Sequence, residues 1–348
     1  PSPALPEMMD EKTVKAIDRG LEYLKNTQRQ ADGSWLNSGG YGYYPSVMTS
    51  LAAMAMMANG STAETGPYAR QITRGMNYVL RCAENQDDGL IAGPGAEYRS
   101  MYGHGFSMLF LAQCYGMEVS KDYETRIKKV LDKAVLLTAK AQSNLGKGSN
   151  YAGGWYYTPS SGSDEGSVTV TQLQALRACR NVGIKIPTLK FDGKDLSPIE
   201  RAVAYLKHCQ EPDGGICYSA SSRGGSRPAI SAAGIACFYA AGVYDRASGG
   251  GGKEAEMVER LVAYCKSHAK VDQSDGHWFY THFYMAQAMY HRGGADWKSY
   301  YPQIRNKLLS MQSIDGSWNG DGVGTTYGTA LACIILQLPY GYLPICQK

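Results

Sequence analysis

Histidine, arginine and tyrosine recur in this 348-residue chain at short intervals just ahead of apolar segments. Tyr102 stands two residues before His104, His282 two before Tyr284, and Arg99 and Arg227 fall at the same kind of junction. Arginine grips a carboxylate with parallel N–H donors. Histidine titrates near neutrality and can take a proton, which a tyrosine hydroxyl can return. This set suits β-elimination on a uronate. Arg227 or Arg99 would neutralise the carboxylate and acidify the adjacent C–H, His104 or His282 would take that proton, and Tyr102 or Tyr284 would protonate the leaving oxygen. Other groups at such junctions are candidates for substrate binding. Tyr43 and Tyr44 precede the first apolar segment, Tyr157, Asp164 and Glu165 the third, and Arg223 the fourth. Tyr280 and Tyr327 belong to the fifth and sixth. Hydrolysis would need two carboxylates flanking one bond, which the adjacent Asp164 and Glu165 do not offer, leaving Glu97 as the partner. His104 can equally cap a helix, and a single tyrosine packs or hydrogen-bonds more often than it catalyses.

Composition narrows the partner. There are 26 Tyr against 6 Phe and 5 Trp, and an aromatic body with a polar tip suits a sugar ring and its hydroxyls. A small molecule or oligosaccharide is therefore the expected ligand, taken up by a monomer. The net charge of +4 contains no run of five Lys or Arg, which argues against nucleic acid. No apolar run is long enough to cross a bilayer. The chain starts at Pro1 rather than Met. A leader removed earlier, with a secreted or periplasmic location, stays open. Most of the nine cysteines recur in register. Cys114, Cys179, Cys237 and Cys333 share one place, and Cys82, Cys209 and Cys265 another. They read as small buried hydrophobes, whereas Cys217 and Cys346 fall outside the register.

The junctions are set by a repeat. Gln30-Ala31-Asp32-Gly33-Ser34-Trp35 returns as Gln312-Ser313-Ile314-Asp315-Gly316-Ser317-Trp318. Gly89, Gly154, Gly214 and Gly276 mark intermediate copies, roughly 40 to 65 residues apart. Each Asp-Gly is a tight turn. Before each turn lies a helix with one wet face, near 11–27, 68–84, 123–142, 198–210, 253–268 and 300–312. After each lies one apolar nearly all round, near 46–59, 104–115, 167–181, 228–241, 282–291 and 327–336. A helix apolar on every side must be buried on every side. Six wet and six dry helices in alternation predict an all-α chain, an (α/α)6 toroid with the dry helices as the inner ring. Residues 1–10 read as an irregular lead-in and 11–348 as one toroid domain. Glycine-rich loops are expected at 146–162 and 249–252.

The spacing Gln312-x-x-x-Gly316-x-Trp318 between a wet and a dry helix resembles the repeat of squalene-hopene and terpene cyclases and of protein prenyltransferase β-subunits. The resemblance spans essentially the whole chain. It implies an α/α toroid whose cavity opens at the ends of the inner helices. Those families' own chemistry is missing. Ser163-Asp164-Glu165-Gly166 holds two acids where cyclases carry an Asp-x-Asp-Asp cluster. Ser226-Arg227-Pro228-Ala229-Ile230 has Arg where the prenyltransferases place a zinc-binding Asp, and no Cys follows. No metal or cofactor is therefore expected. The sequence also lacks the thioester Gly-Cys-Gly-Glu-Gln, a Gly-x-Ser-x-Gly elbow and a phosphate-binding loop. Beside the lyase reading stand a diverged isoprenoid cyclase or transferase and a non-catalytic binding module.

Overall fold

The computed structural model describes residues 5–93, 97–143, 152–159, 162–191, 193–240, 252–273 and 276–347. Asp10 starts the first helix, its carboxylate accepting Thr13 N at 2.8 Å and Thr13 Oγ1 at 2.7 Å. Among the described residues, six helices form an outer set: α1 (Glu11–Thr27), α3 (Ala69–Glu84), α5 (Lys121–Ala141), α7 (Pro198–His208), α9 (Lys253–His268) and α11 (Gly294–Met311). Six alternate with them inside: α2 (Pro45–Met57), α4 (Ser100–Gly116), α6 (Gly166–Asn181), α8 (Pro228–Ala240), α10 (Trp278–Arg292) and α12 (Thr325–Gln337). Each inner helix packs on the next, and α12 returns to pack on α2 and α1. That closed double ring is the (α/α)6 toroid expected from the wet–dry alternation. Every residue of α2 is buried, as its lack of a polar face requires.

The turns bind one outer helix to the next. Gly33, Gly89, Gly214 and Gly316 all have φ between +82° and +94°, a region where a side chain is strained. A Cβ at Gly33 would meet the Arg74 carbonyl of α3 at 2.7 Å, and one at Gly316 would meet the Arg19 carbonyl of α1 at 2.6 Å. Glycine is thus needed for conformation and for contact. Beside it, the Gln312 amide donates to its own turn at Gly316 O (2.9 Å) and to Ala16 O of α1 (2.8 Å). Gln28, Gln142 and Gln210 make the same double bond to Gly33 and Gln71, Gly153 and Pro198, and Gly214 and Met257. The tryptophan two residues past the glycine is buried, with Trp35, Trp155 and Trp318 each bonding a carbonyl of their own outer helix through Nε1. The glycine of the third repeat is therefore Gly153, not the Gly154 suggested by sequence alignment.

Three features depart from the sequence reading. A hairpin, β1 (Leu189–Phe191) with β2 (Lys194–Leu196), precedes α7 and places the Phe191 ring 3.2 Å under the Arg201 guanidinium. The outer helix α11 begins six residues earlier than predicted and carries Pro302 inside it. Finally, α4 and α10 each begin four residues earlier than predicted. Of the expected glycine-rich loops, 146–151, 160–161 and 249–251 lie outside the described residues, as do 1–4 and Ala241.

The two hydrogen bonds of the Gln312 amide close the ring, whereas Gln273, its counterpart in sequence alignment, lies four residues past the C-cap of α9, is exposed and makes no side-chain hydrogen bond to a described residue. Gln312→Ala is expected to destabilise the fold by about 2 kcal/mol, and Gln273→Ala by less than about 0.5 kcal/mol. Denaturant unfolding of the two variants checks this. Equal losses would show that the amide bridge does not hold the ring.

Candidate active site

All six inner helices start at the end where the Asp-Gly turns lie, so their unsatisfied N–H groups and positive dipole ends converge on one mouth. Three of these ends are met by carboxylates. Glu97 accepts Ser46 N (2.8 Å) and Ser46 Oγ (2.7 Å) at the start of α2. Glu165 accepts Ser167 N (3.0 Å) and Val168 N (2.7 Å) at α6. Asp321 reaches from the last repeat to Phe279 N and Tyr280 N, both 3.0 Å, at α10. Burial pushes the Glu97 and Glu165 carboxyls up from their ordinary value, against hydrogen bonds that favour the charged form. Asp164 does different work. It accepts Tyr205 OH (2.6 Å), Ser219 Oγ (3.0 Å) and the N–H groups of Ala220 (2.6 Å) and Ser221 (3.2 Å). These bonds pin the loop ahead of α8 to α6 and leave Asp164 little capacity for substrate.

Glu165 is the centre of a polar network. Ser167 Oγ donates to it, and Tyr102 OH pairs with Ser167 Oγ. On the other side Tyr218 stands near the same carboxyl, and Tyr157 OH lies 2.6 Å from Tyr218 OH. The guanidinium of Arg99 lies 4.2 Å above the Tyr157 ring, beside Tyr102, Tyr44 and Tyr218. Arg99 is half-buried and is the N-cap residue of α4. A cation there opposes the helix dipole, and its guanidinium has no hydrogen bond or ion pair with any described residue. The Tyr157 face compensates only in part. Below this layer Tyr280 donates to Ser167 O at 3.3 Å, and its ring meets that of Tyr284 edge-on at 5.0 Å. Burial holds the hydroxyls of Tyr102, Tyr280 and Tyr327 well above their ordinary value.

The two histidines assigned as base are not in this mouth. His104 is fully buried between the rings. Its Nδ1 accepts Ile91 N–H at 3.1 Å, and its Nε2 pairs with Thr138 Oγ1 at 2.8 Å. The same turn N–H is taken in other repeats by Thr49, Thr169, Ser231 and Thr329, so His104 fills a structural position. Burial lowers its pKa to about 4. His282 is also buried, bonded through Nδ1 to Tyr300 OH at 2.8 Å and packed on Trp278. It lines a cleft of about 370 Å³ on the outer side of α10, with Thr281 and Pro228. Tyr284 is fully buried near Thr171. Arg223 turns away to the rim, paired with Glu211 at 3.0 Å and bonded to His208 O at 3.0 Å. Arg227 and Tyr43 are exposed. Of the predicted set, the structure gathers Arg99, Tyr102, Tyr157 and Glu165, with Tyr44, Tyr280 and Tyr327 around them. Sequence reasoning passed over Ser167 and Asp321. The Gly320-Asp321-Gly322 context, which lets Asp321 sit at φ 48°, was the available signal.

No protein-family profile matches the sequence, and no curated protein matches it. Solved structures do. An inactive variant of an α-1,6-mannanase of Salegentibacter sp. HEL1_6, in complex with α-1,6-mannotriose, superposes with TM-score 0.67 at 8% identity, covering 93% of this chain and 98% of that one. An unsaturated glucuronyl hydrolase specific for heparin gives TM-score 0.62 at 10% identity over 94% and 96% of the two chains. Cellobiose 2-epimerase of Spirochaeta thermophila gives 0.64 at 11% over 95% and 96%. At these identities the likeness is one of fold. It corrects the family resemblance drawn from the repeat, because these three toroids are carbohydrate enzymes rather than squalene cyclases or prenyltransferases.

The neutral, buried His104 makes stability depend on pH. Its folded pKa lies below the ordinary 6.5, so the unfolded chain binds the extra proton between about pH 6.5 and 4. Its contribution is whole above pH 6.5 and is lost as the pH falls, by about 3 kcal/mol at the acid end. His104→Thr, which restores the residue of the other repeats, should flatten this acid limb in melting curves from pH 7 to pH 4.5. An unchanged slope would mean that His104 is not the group that titrates.

Proposed function

We propose that the mouth binds a uronate-containing polysaccharide through Arg99 and cleaves it by β-elimination. The observation that carries this is Arg99 itself, a half-buried guanidinium at a helix N-terminus with no counter-carboxylate among the described residues. An anion on Arg99 would relieve repulsion from the dipole and gain charge-assisted hydrogen bonds. The saccharide-directed neighbours, one acting on unsaturated glucuronyl groups and one holding a mannotriose, support a glycan as the ligand.

The two tyrosine arms then supply the proton transfers. With the uronate carboxylate on Arg99, the hydrogen on the carbon beside it becomes acidic. Tyr102 takes that proton while passing its own through Ser167 Oγ to ionised Glu165. The electron pair forms the new C=C bond and the glycosidic C–O bond breaks. The leaving oxygen takes a proton from Tyr157, which recovers one from Tyr218 and ultimately from Glu165. One carboxyl thus receives and returns the same proton equivalent. Tyr102 and Glu165 replace the histidines as the basic group.

Glycoside hydrolysis is a second reading. The adjacent acids Asp164 and Glu165 echo the two adjacent aspartates substituted in the inactive mannanase. Asp164, however, is held by four hydrogen bonds, and hydrolysis needs a second carboxylate that is free to act.

Incubation with polyuronides should produce the ultraviolet absorbance of a C=C conjugated to a carboxylate, and hydrolysis would give reducing ends without it. Arg99→Ala should weaken uronate binding about 10- to 100-fold. Tyr102→Phe should lower kcat about 100-fold or more with little change in KM. Because Glu165 must be ionised and its pKa is raised, the acid limb of kcat/KM should lie above the usual carboxyl range and disappear in Glu165→Gln. Uronates that neither raise the melting temperature nor lose affinity in Arg99→Ala would overturn the proposal and leave a neutral-ligand module.

A further inference from the structure

Cys217 is out of register with the other cysteines of the repeat, yet the structure sets it against one that is in register. The chain leaving α7 folds back on itself around the Asp213-Gly214 turn, with Gln210 and Ile216 as a bridge pair. One step outward Cys217 N donates to Cys209 O at 3.0 Å, although Cys209 is the helical C-cap of α7 and Cys217 bridges to Ser226 on its other side. That backbone bond holds the two cysteines side by side. A disulfide wants its Cβ atoms about 3.5–4.5 Å apart, a separation that movement of the exposed turn between them can supply. Cys217 Sγ donates to Ser219 O at 3.4 Å, and the Cys209 thiol and the Arg223 guanidinium both lie close enough to influence it.

We propose that Cys209 and Cys217 are a thiol–disulfide site, oxidised by a small-molecule disulfide to a cross-link spanning the turn of the fourth repeat. The Cys217 thiolate attacks one sulfur of the oxidant and expels the first small thiol. Cys209, giving up its proton, then attacks Cys217 Sγ and expels the second. Two protein thiols become one disulfide, and the oxidant becomes two thiols. The chemistry favours this order. The neighbouring Cys209 thiol and the nearby Arg223 guanidinium lower the Cys217 thiol below its ordinary value. The helical cysteines are pushed the other way by burial, Cys82 for instance up to about 12. Both sulfurs are buried, but the backbone over them is not, since Pro212, Asp213 and residues 221–225 are exposed. Opening of that turn admits the oxidant, whereas the other thiols sit inside packed helices or the C-terminal turn. The cross-link has a consequence for the mouth. Tyr218 directly follows Cys217, and Ser219 to Ser221 hold Asp164. Oxidation therefore stiffens the strand that presents Tyr218 to Glu165.

One tryptic peptide, 208–223, contains both cysteines and no other. The full chain would be incubated with glutathione disulfide, denatured, alkylated and digested without reduction. The expected peptide is two hydrogens lighter and carries no alkyl group, while the peptides of the other cysteines are alkylated. A 208–223 peptide that is alkylated twice, or that keeps a bound glutathione, would overturn the proposal. Oxidation should also raise the melting temperature by about 3 °C, reversed by dithiothreitol. A fall would show that the native geometry does not accommodate the bond. These readouts use the unmutated protein. Cys217→Ala adds a control in which Cys209 is alkylated and the rise is absent.

Discussion

Four glutamine amides, Gln28, Gln142, Gln210 and Gln312, each join the carbonyl of a repeat's turn glycine to a carbonyl of the next outer helix. The geometry has little tolerance. The turn glycine must be left-handed and lack a Cβ, because it rests on the neighbouring helix backbone. Three arginines, Arg19, Arg74 and Arg260, clamp the same turns by donating to two turn carbonyls each. Since the last clamp joins the sixth repeat to α1, the interaction that sets the pitch of one repeat also closes the ring. Closure in turn brings six helix N-termini to one mouth. The repeat that looks like a site by its recurrence is thus the device that builds one elsewhere.

Converging helix starts create an electrostatic problem that the chain answers unevenly. Glu97, Glu165 and Asp321 neutralise the starts of α2, α6 and α10, each borrowed from a segment outside the helix it caps or from the residue just before it. The start of α4 receives the opposite treatment. Arg99 adds a positive charge there and, among the described residues, meets tyrosine rings rather than a carboxylate. A cation so placed lowers stability in isolation, and such strain at a mouth is the pattern expected of a group kept for an anion.

The fold was legible in the sequence because the inner helices have no polar face and the outer ones have a single apolar stripe, a contrast that survives every degenerate turn. The site was legible only in part, and the reason is angular. Tyr102 and His104 are two residues apart, as are His282 and Tyr280. In a loop such pairs can converge. In a helix, two residues are about 200° apart around the axis, so one faces the mouth and the other the outer ring. The sequence reading began α4 at His104, which left Tyr102 in a loop beside it, and it paired His282 with Tyr284, whereas the residue at the mouth is Tyr280. The structure starts both helices four residues earlier. At α10 the capping carboxylate is Asp321, 42 residues downstream of the N–H it accepts, too distant for local pattern to reveal. His104 was recoverable another way, by aligning it with Thr49, Thr169, Ser231 and Thr329.

With the histidines in the wall, acid–base capacity at the mouth rests on a residue that already has a structural duty. Glu165 must stay charged to cap α6, which the backbone N–H groups favour, and it must accept a proton to take part in chemistry, which its burial favours. These opposed pressures leave the two protonation states closer in energy than for an exposed carboxyl. They also explain why the tyrosines are arranged in chains. No tyrosine here is acidic enough to act alone, since burial raises each hydroxyl. A tyrosine that can pass its proton along a hydrogen bond to Glu165 as it gains another need never carry a full charge. Asp164, locked by four bonds, holds the loop bearing Tyr218 in place for that purpose. In the proposed elimination the adjacent acids therefore divide the labour, Asp164 fixing the geometry and Glu165 moving the proton.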